Sequence, residues 1–302
     1  MAHKSGFVAV IGRPNVGKST LINALTGEKV AITSPRPQTT RTNLRAIITK
    51  KQYQMIFIDT PGIHKPKNKL GEFMVQSATG VIGDADVVLY LFDATEDNIS
   101  EGDKNIIAQI KAGGKKSPVI LIFTKIDLIE KEKLLRLTEM LAKEYEFDDI
   151  IPVSARERDG INIIENEIVK RLPEGPEYYP GDIITDSTVR EMTAEIIREK
   201  ILLYTNEEVP HGTGVEIVVF EEARRKEGKA RIEANIFCEK ESHKGILIGK
   251  DGAMLKKIGT AARRDIERIE GTGVNLKLWV KVKEDWRNSP GMLKELGYRE
   301  QK

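Results

Sequence analysis

The chain has 302 residues, of which 40% are hydrophobic and 31% charged, with a formal net charge of +2; this is the composition of a globular protein long enough for two domains. Its apolar runs, such as residues 87–92 and 118–123, are too short to cross a bilayer, and the N-terminal Met-Ala-His-Lys-Ser-Gly has no signal-peptide apolar region. A lone Cys238 excludes an internal disulfide and fits a reducing cytoplasm, and four scattered histidines, His3, His64, His211 and His243, show no metal-ligand spacing.

Residues 6–172 alternate strand-like and helix-like segments. Strands are predicted at 7–11, 44–49, 54–59, 87–92, 119–124 and 150–153. Helices are predicted at 18–25, 70–82, 100–111, 130–145 and 161–171. The later strands are β-branched and apolar throughout, as strands buried on both faces must be. This order implies an α/β domain over residues 1–173, with a doubly wound, mostly parallel sheet and helices on both faces.

Residues 172–181 (LPEGPEYYPG) have three prolines, two glycines and no periodicity, so residues 174–183 read as a linker. A second, α+β domain is expected over 184–302, with a helix at 187–204 and alternating strands at 214–222 and 230–239. An apolar turn at 245–252, a helix at 253–270 and a strand at 274–282 follow. Cys238 reads as filler on one face of a strand. Charge is uneven: residues 244–302 hold 14 Lys+Arg against 8 Asp+Glu, a balance of +6, whereas residues 151–243 hold 13 against 20. A basic end behind an acidic spacer suits a polyanion partner, and a solvated helix face would look the same.

Gly12-Arg-Pro-Asn-Val-Gly-Lys-Ser19 fits GxxxxGK[ST] between a strand and a helix, the context a phosphate loop requires. Gly12, Asn15, Val16, Gly17 and Thr20 would wrap the phosphates with backbone N–H groups at a helix start. Lys18 would reach the β- and γ-phosphates and Ser19 would ligate Mg²⁺. Asp59-Thr-Pro-Gly62 ends an apolar strand, placing Asp59 on a Mg²⁺-bound water and the Gly62 N–H on the γ-phosphate. Between them, the SPRPQTTR stretch at 34–41 is placed like a switch loop, with Thr40 preferred over Thr39 as the third metal ligand because it lies nearer the next strand.

Thr124-Lys125-Ile-Asp127 follows the strand ILIF. Asp127 could accept from guanine N1–H and the 2-amino group; adenine offers neither, so a buried Asp127 would be left unpaired at a cost of several kcal/mol. The Lys125 stem would cover the base, and the strand end Val153-Ser154-Ala155 would offer the Ala155 N–H to guanine O6. These segments together resemble the ordered motif set of the GTPase superfamily, in which NKxD is usual; position 124 is Thr instead of Asn, so its bond to the phosphate loop is expected to weaken. Ras-like GTPases carry a glutamine at the position of Ile63, which has no polar group. Asn15 either tightens the loop turn or resembles the asparagine that holds K⁺ in some translation-factor-related GTPases. The catalytic set expected is therefore Lys18, Asn15, Thr40 and Gly62.

In the basic end, Ile248-Gly249-Lys250-Asp251-Gly252 before a long helix resembles the KH-domain GxxG signature, and the α-β-β-α-α-β order resembles the type II KH fold. Lys250, Lys256, Lys257, Arg263, Arg264 and Arg268 would line a single-stranded RNA site. Few aromatics in this half point to hydrogen bonds and aliphatic contacts rather than stacking.

The single N-terminal G domain, Ile63 after DTPG, the TTR switch, the KH signature and the ending DWRNSPGMLKELGY together resemble the bacterial Era GTPase family over essentially the whole chain. That resemblance implies a slow GTPase using GTP/GDP and Mg²⁺, which binds small-subunit ribosomal RNA near its 3′ end and assists small-subunit assembly. It also implies a peripheral contact at the inner face of the cytoplasmic membrane; a cytoplasmic monomer is expected, with the oligomeric state left open by the sequence. Two other readings stand beside it: an RNA-binding protein that senses GTP with negligible turnover, and a tRNA-related GTPase. The tRNA-modifying relatives, however, end in a cysteine motif absent here.

Overall fold

The computed structural model describes residues 2–34, 36, 39–63, 65–113, 117–223 and 228–298. Pro35, Pro37 and Gln38 of the expected switch stretch, His64, and residues 299–302 lie outside the described residues. Two compact units form: Met1–Thr33, Thr40–Pro66 and Gly71–Asp186 make the first, and Ser34–Thr39, Lys67–Leu70 and Ser187–Lys302 the second.

The first unit contains β1 (Lys4–Gly12), α1 (Lys18–Thr26), β2 (Leu44–Lys50), β3 (Tyr53–Asp59) and most of α2 (Lys69–Asp84). It continues with β4 (Val87–Asp93), α3 (Glu101–Ala112), β5 (Val119–Thr124), α4 (Lys131–Glu144), β6 (Asp149–Pro152) and α5 (Ile161–Arg171). The sheet order is β2-β3-β1-β4-β5-β6; β2 runs antiparallel to β3 and the other pairs are parallel. β4 and β5 are buried at every residue, because successive side chains enter opposite cores. Leu89, Leu91, Ile120 and Ile122 pack with α1 and α5 through Leu21, Ile22, Ile164 and Ile168. Tyr90, Phe92, Leu121 and Phe123 pack with α2, α3 and α4 through Ile82, Ile106, Ile110, Leu137 and Leu141.

Residues 174–183, expected as a linker, are instead tied to the first unit. The Ser5 hydroxyl donates to the Gly175 carbonyl at 3.0 Å. The Gln54 amide oxygen accepts from the Tyr178 and Tyr179 N–H groups at 2.7 and 3.0 Å, and its amide nitrogen donates to the Tyr179 carbonyl at 2.8 Å. Proline and glycine correctly signal the lack of regular structure, but they say nothing of side-chain-to-backbone bonds to distant strands. The change of unit falls at Asp186–Ser187.

The second unit holds α6 (Val189–Tyr204), β7 (Gly214–Glu221), β8 (Lys229–Cys238), α7 (Glu241–Ile248), α8 (Ala253–Glu270), β9 (Gly273–Val282) and α9 (Pro290–Glu295). A Thr188–Glu191 capping box starts α6. The sheet β7-β8-β9 pairs β8 antiparallel with β7 and parallel with β9. One sheet face packs Ile232, Ala234 and Ile236 against Ile197, Ile201, Ile258, Ala262 and Ile266 of the helices, and Cys238 is buried in this core. The stretch 245–252, expected as an apolar turn, is half helix, since α7 runs through Ile248. Two glycines (Gly245 and Gly249) mask a short helix in the sequence.

Candidate functional site

Apart from Thr40, which precedes the antiparallel β2, the candidate nucleotide residues lie at or beyond the C-terminal ends of parallel strands, where open α/β sheets form their binding crevice. β1 ends at Gly12, and Gly17, in a left-handed conformation, caps α1. Asn15, exposed, also has positive φ (65°), so the loop between them is wound into a concave turn of the kind that collects anions. Val16 is buried within it, and Thr20 is exposed on the first turn of α1.

Lys18 is buried beneath this loop, donating to the Gly12 and Arg13 carbonyls at 3.0 and 2.9 Å. Burial pushes its ammonium down to about 8, against the attraction of Asp59. Asp59, the last residue of β3, has 0% exposure. Its Oδ2 accepts from the Ser19 hydroxyl at 2.7 Å and the Thr40 hydroxyl at 3.1 Å, and those two hydroxyls are 3.1 Å apart. Thr39 is not part of this cluster; its hydroxyl donates to the Arg36 carbonyl at 2.8 Å. Asp59 Oδ1 is buried without a hydrogen-bond partner. Burial pushes the Asp59 carboxyl upward, while Lys18, Ser19 and Thr40 oppose that shift. Each charge is thus disfavoured by its burial and favoured by the other. A divalent cation beside the three oxygens and an anionic group beside Lys18 would relieve both, so this donor set fits a magnesium phosphate.

The Asp59–Gly62 loop is stitched to the phosphate loop. The buried Thr60 hydroxyl donates to the Val10 carbonyl at 2.8 Å, and the Ile63 N–H to the Gly12 carbonyl at 3.3 Å. A Cβ on Gly62 would come within 2.6 Å of the Pro14 nitrogen, so only glycine allows this approach. Ile63, 1% exposed, packs into the core beside Ile11 and Ala78. Its side chain is therefore committed to the interior.

At the base end, Thr124 closes β5 and Lys125 follows in a left-handed conformation. The Thr124 hydroxyl donates to the Val16 carbonyl at 2.7 Å, so the shorter side chain still reaches the phosphate loop. Asp127, on a 3-10 turn (Ile126–Leu128), is exposed rather than buried. It borders a cavity of about 680 Å³ lined also by Ile126, Leu134, Pro152 and Ser154. The carboxylate would therefore be desolvated only when a base covers it, and is not buried beforehand. Ser154 is buried; its N–H donates to the Asp159 carbonyl at 3.1 Å and its hydroxyl accepts from the Glu157 N–H at 3.1 Å, which holds the turn that presents Ala155.

Two acidic residues escaped sequence reasoning. Asp93, at the end of β4, accepts from the Lys125 ammonium at 2.5 Å and from the Thr95 hydroxyl at 2.7 Å. Burial would raise its carboxyl, but the Lys125 and Thr95 bonds hold it below the usual range. Nothing local marks it. Asp103 could have been found as half of the Ser100–Asp103 capping box of α3. It also accepts from Arg13 of the phosphate loop at 3.2 Å and from the Tyr90 hydroxyl at 3.1 Å, anchoring the loop to the core.

In the second unit, Gly249, Lys250, Asp251 and Gly252 join α7 to α8. Gly249 takes φ 72° and ψ 174°, a region open essentially to glycine alone. A Cβ there would lie 2.8 Å from the Met254 Cβ and 2.9 Å from its nitrogen. Ile248 is half-buried, and Lys250, Asp251, Lys256 and Lys257 are exposed. The Lys257 ammonium sits 4.3 Å from the centre of the Tyr204 ring. Arg263 lies 3.9 Å from Glu267, Arg268 lies 3.1 Å from Asp265, and Arg264 is exposed.

A phosphate loop, a metal-suited hydroxyl–carboxylate cluster and the Thr124–Asp127 turn on one sheet, with a GxxG helix pair in a separate unit, define a GTPase carrying a KH domain. Accordingly, residues 7–125 match a family model described as 50S ribosome-binding GTPase and residues 208–287 match the KH domain. The chain is 54% identical to GTPase Era of Ruminiclostridium cellulolyticum over 302 residues, covering 100% of both. It is 51% identical to GTPase Era of Clostridium perfringens, covering 99% of each. Its structure matches that of Era in complex with MgGDPNP and nucleotides 1506–1542 of 16S ribosomal RNA, with TM-score 0.93, 40% identity and coverage of 98% and 99%. It matches a single-residue variant of Aquifex aeolicus Era bound to GDP·AlF4⁻ with TM-score 0.92, 40% identity and the same coverage. The chain belongs to the Era family of GTPases.

Proposed function

We propose that this chain binds GTP with Mg²⁺, hydrolyses it to GDP, and uses its KH domain to hold small-subunit ribosomal RNA near the 3′ end during small-subunit assembly. The observation that carries the nucleotide half is the convergence of Ser19, Thr40 and Asp59 on one side of buried Lys18. Ser19 and Thr40 would hold the metal, with Asp59 behind them, and Mg²⁺ would supply charge neutralisation at the β- and γ-phosphates. Lys18, Gly12, Asn15, Val16, Gly17 and Thr20 bind and orient the phosphates; the Gly62 N–H would donate to the γ-phosphate. Thr124, Lys125, Asp127, Ser154 and Ala155 select guanine.

The RNA half rests on the GxxG turn and on the 16S RNA bound by the Era structure that this chain matches over 98% of its length. The family model that mentions the 50S particle covers residues 7–125 only, a G domain shared among GTPases, so the small subunit is the better assignment. Ile248, Lys250, Asp251, Lys256 and Lys257 surround the turn. With Ile63 sequestered in the core, intrinsic turnover is slow. Asn15 is proposed to hold a potassium ion during turnover; equal rates in KCl and NaCl at matched ionic strength would remove that role. The protein acts as a cytoplasmic monomer, with a peripheral contact at the inner face of the cytoplasmic membrane.

Coupling of the two activities is proposed through the chain between residues 39 and 40. Thr39 belongs to the second unit, where Arg198, 1% exposed, donates to its carbonyl, and the next residue is the metal-cluster Thr40. Ordering Thr40 would bias the Arg198 contact, the differential interaction that a switch needs. The decisive experiment measures phosphate release and affinity for a 3′-terminal 16S fragment, in the GTP-analogue and GDP states. Release stimulated by RNA and tighter RNA binding with the analogue are expected. No release would leave a GTP-sensing protein, and equal RNA affinity would remove the coupling.

A further inference from the structure

The helices α6, α7 and α8 cover one face of the three-stranded sheet; on the other face Trp286 and Leu296 lie over Gly214 at one end, and the β9 side is exposed. Along β9 the inward residues Val274, Leu276, Leu278, Val280 and Val282 join the core, while Asn275, Lys277, Trp279 and Lys281 alternate outward and are exposed. Trp279 is 42% exposed, although a large aromatic on a strand ordinarily finds cover. Lys277 and Lys281 lie two residues to either side of it, about 6.6 Å away along the strand. Neither forms an ion pair among the described residues. The carboxylate opposite Lys277 in register is Glu233, and Arg231 already holds it through bonds of 2.7 and 3.0 Å. Beside Trp279 in register is Asn235, whose amide is bound to Glu216 of β7 at 2.9 Å. The remaining acidic residues of this face, Glu216 and Glu221, lie on the far strand, and β9 is its basic margin.

We infer that the open face of β9 is a second contact for single-stranded RNA, in which Trp279 stacks one base while Lys277 and Lys281 bind the flanking phosphates. An aromatic face between two cations is how single strands are held without sequence preference. This surface lies on the side of the sheet opposite the helix layer that carries Gly249–Gly252, so it extends the RNA path rather than restating the loop. The choice of RNA over other polyanions rests on the proposed function; the geometry of the face does not.

The test uses the full-length protein and an oligouridylate of about a dozen residues, chosen because stacking tolerates any base. The chain has two tryptophans, and Trp286 is fully buried, so quenching of emission on RNA addition reports Trp279. Quenching is expected, and Trp279→Phe should abolish it while keeping most of the affinity measured by anisotropy of labelled RNA. Trp279→Ala should weaken binding about tenfold. The double variant Lys277→Ala/Lys281→Ala should lower the slope of log K against log salt by about 1.4. A Lys250→Ala/Lys256→Ala variant should weaken binding yet leave quenching at saturating RNA. If that loop variant bound unchanged while Trp279→Ala lost affinity, the GxxG reading would fail and this one would stand. Absence of quenching, or unchanged affinity in a Trp279→Ala protein with native circular dichroism, overturns the inference.

Discussion

The Thr124 hydroxyl donates to the carbonyl of Val16 at 2.7 Å, with the Phe92 carbonyl 3.2 Å away sharing the same hydrogen. This single bond joins the end of β5, which leads to the base site, to the middle of the phosphate loop. Thr124→Val keeps the shape but leaves a buried carbonyl unsatisfied, at about 1–3 kcal/mol. Calorimetry should show GDP affinity falling roughly tenfold for Thr124→Val. Thr124→Asn should stay close to wild type, and a large loss there would show that the site is fitted to threonine.

Asp127 is exposed on the turn that follows β5. In Asp127→Asn the side chain gains donors and loses an acceptor, so the preference should move from guanine to xanthine nucleotides. Competition between GTP and XTP measures this directly, and a retained GTP preference would disprove the assignment of Asp127.

Lys18 titrates from about 8 instead of its ordinary 10.5. Below about 8 both folded and unfolded chains carry this proton, and the buried cation costs the fold. Between about 8 and 10.5 the folded chain sheds it while the unfolded chain keeps it, so the Lys18 contribution to stability of the nucleotide-free protein rises with pH there. Asp59 acts with the opposite sign on the acid side: its raised carboxyl takes a proton before the unfolded chain does, so its contribution falls as pH rises through that window. Phosphate binding needs the charged Lys18 and so takes up a proton above pH 8. GDP affinity should fall by about tenfold per pH unit beyond that point, with proton uptake visible as buffer-dependent binding enthalpy.

Asp93 holds the Lys125 ammonium at 2.5 Å beside the base site. Asp93→Asn removes the charge and keeps the size, costing about 1.5–3 kcal/mol of a charge-assisted bond at most. The expected result is a KM for GTP several-fold higher with kcat nearly unchanged. A matching drop in kcat would instead place Lys125 at the reacting phosphates.

Trp286 is fully buried, donates from its indole nitrogen to the Gly212 carbonyl at 2.9 Å, and stacks with Tyr298 at 6.4 Å. Gly214 packs beneath the ring. Trp286→Ala should destabilise the second unit by about 3–5 kcal/mol, read as a separate early transition in urea, with GDP binding preserved.

The replacement of Gly249 and Gly252 by Asp, an obvious test from sequence, would not isolate RNA contact. Gly249 is required by its backbone angles and by Met254 against it, so such a variant distorts the turn whatever it binds. Only the packing around the loop reveals this.

The strand–helix alternation, the phosphate and base motifs and the GxxG turn were legible because each depends on neighbours in sequence. An apolar run buried on both faces, a glycine that must bend and a carboxylate closing a strand all leave local patterns. Tertiary structure decided what those patterns cannot hold. Thr40 rather than Thr39 meets Ser19 and Asp59, Asp93 captures Lys125, residues 174–183 bind back onto the first unit, and Trp279 stays uncovered. Each joins residues far apart in the chain, or turns on which side of a strand is left without a partner. Proximity of that kind is fixed by how the elements pack, not by the order of the residues that form them.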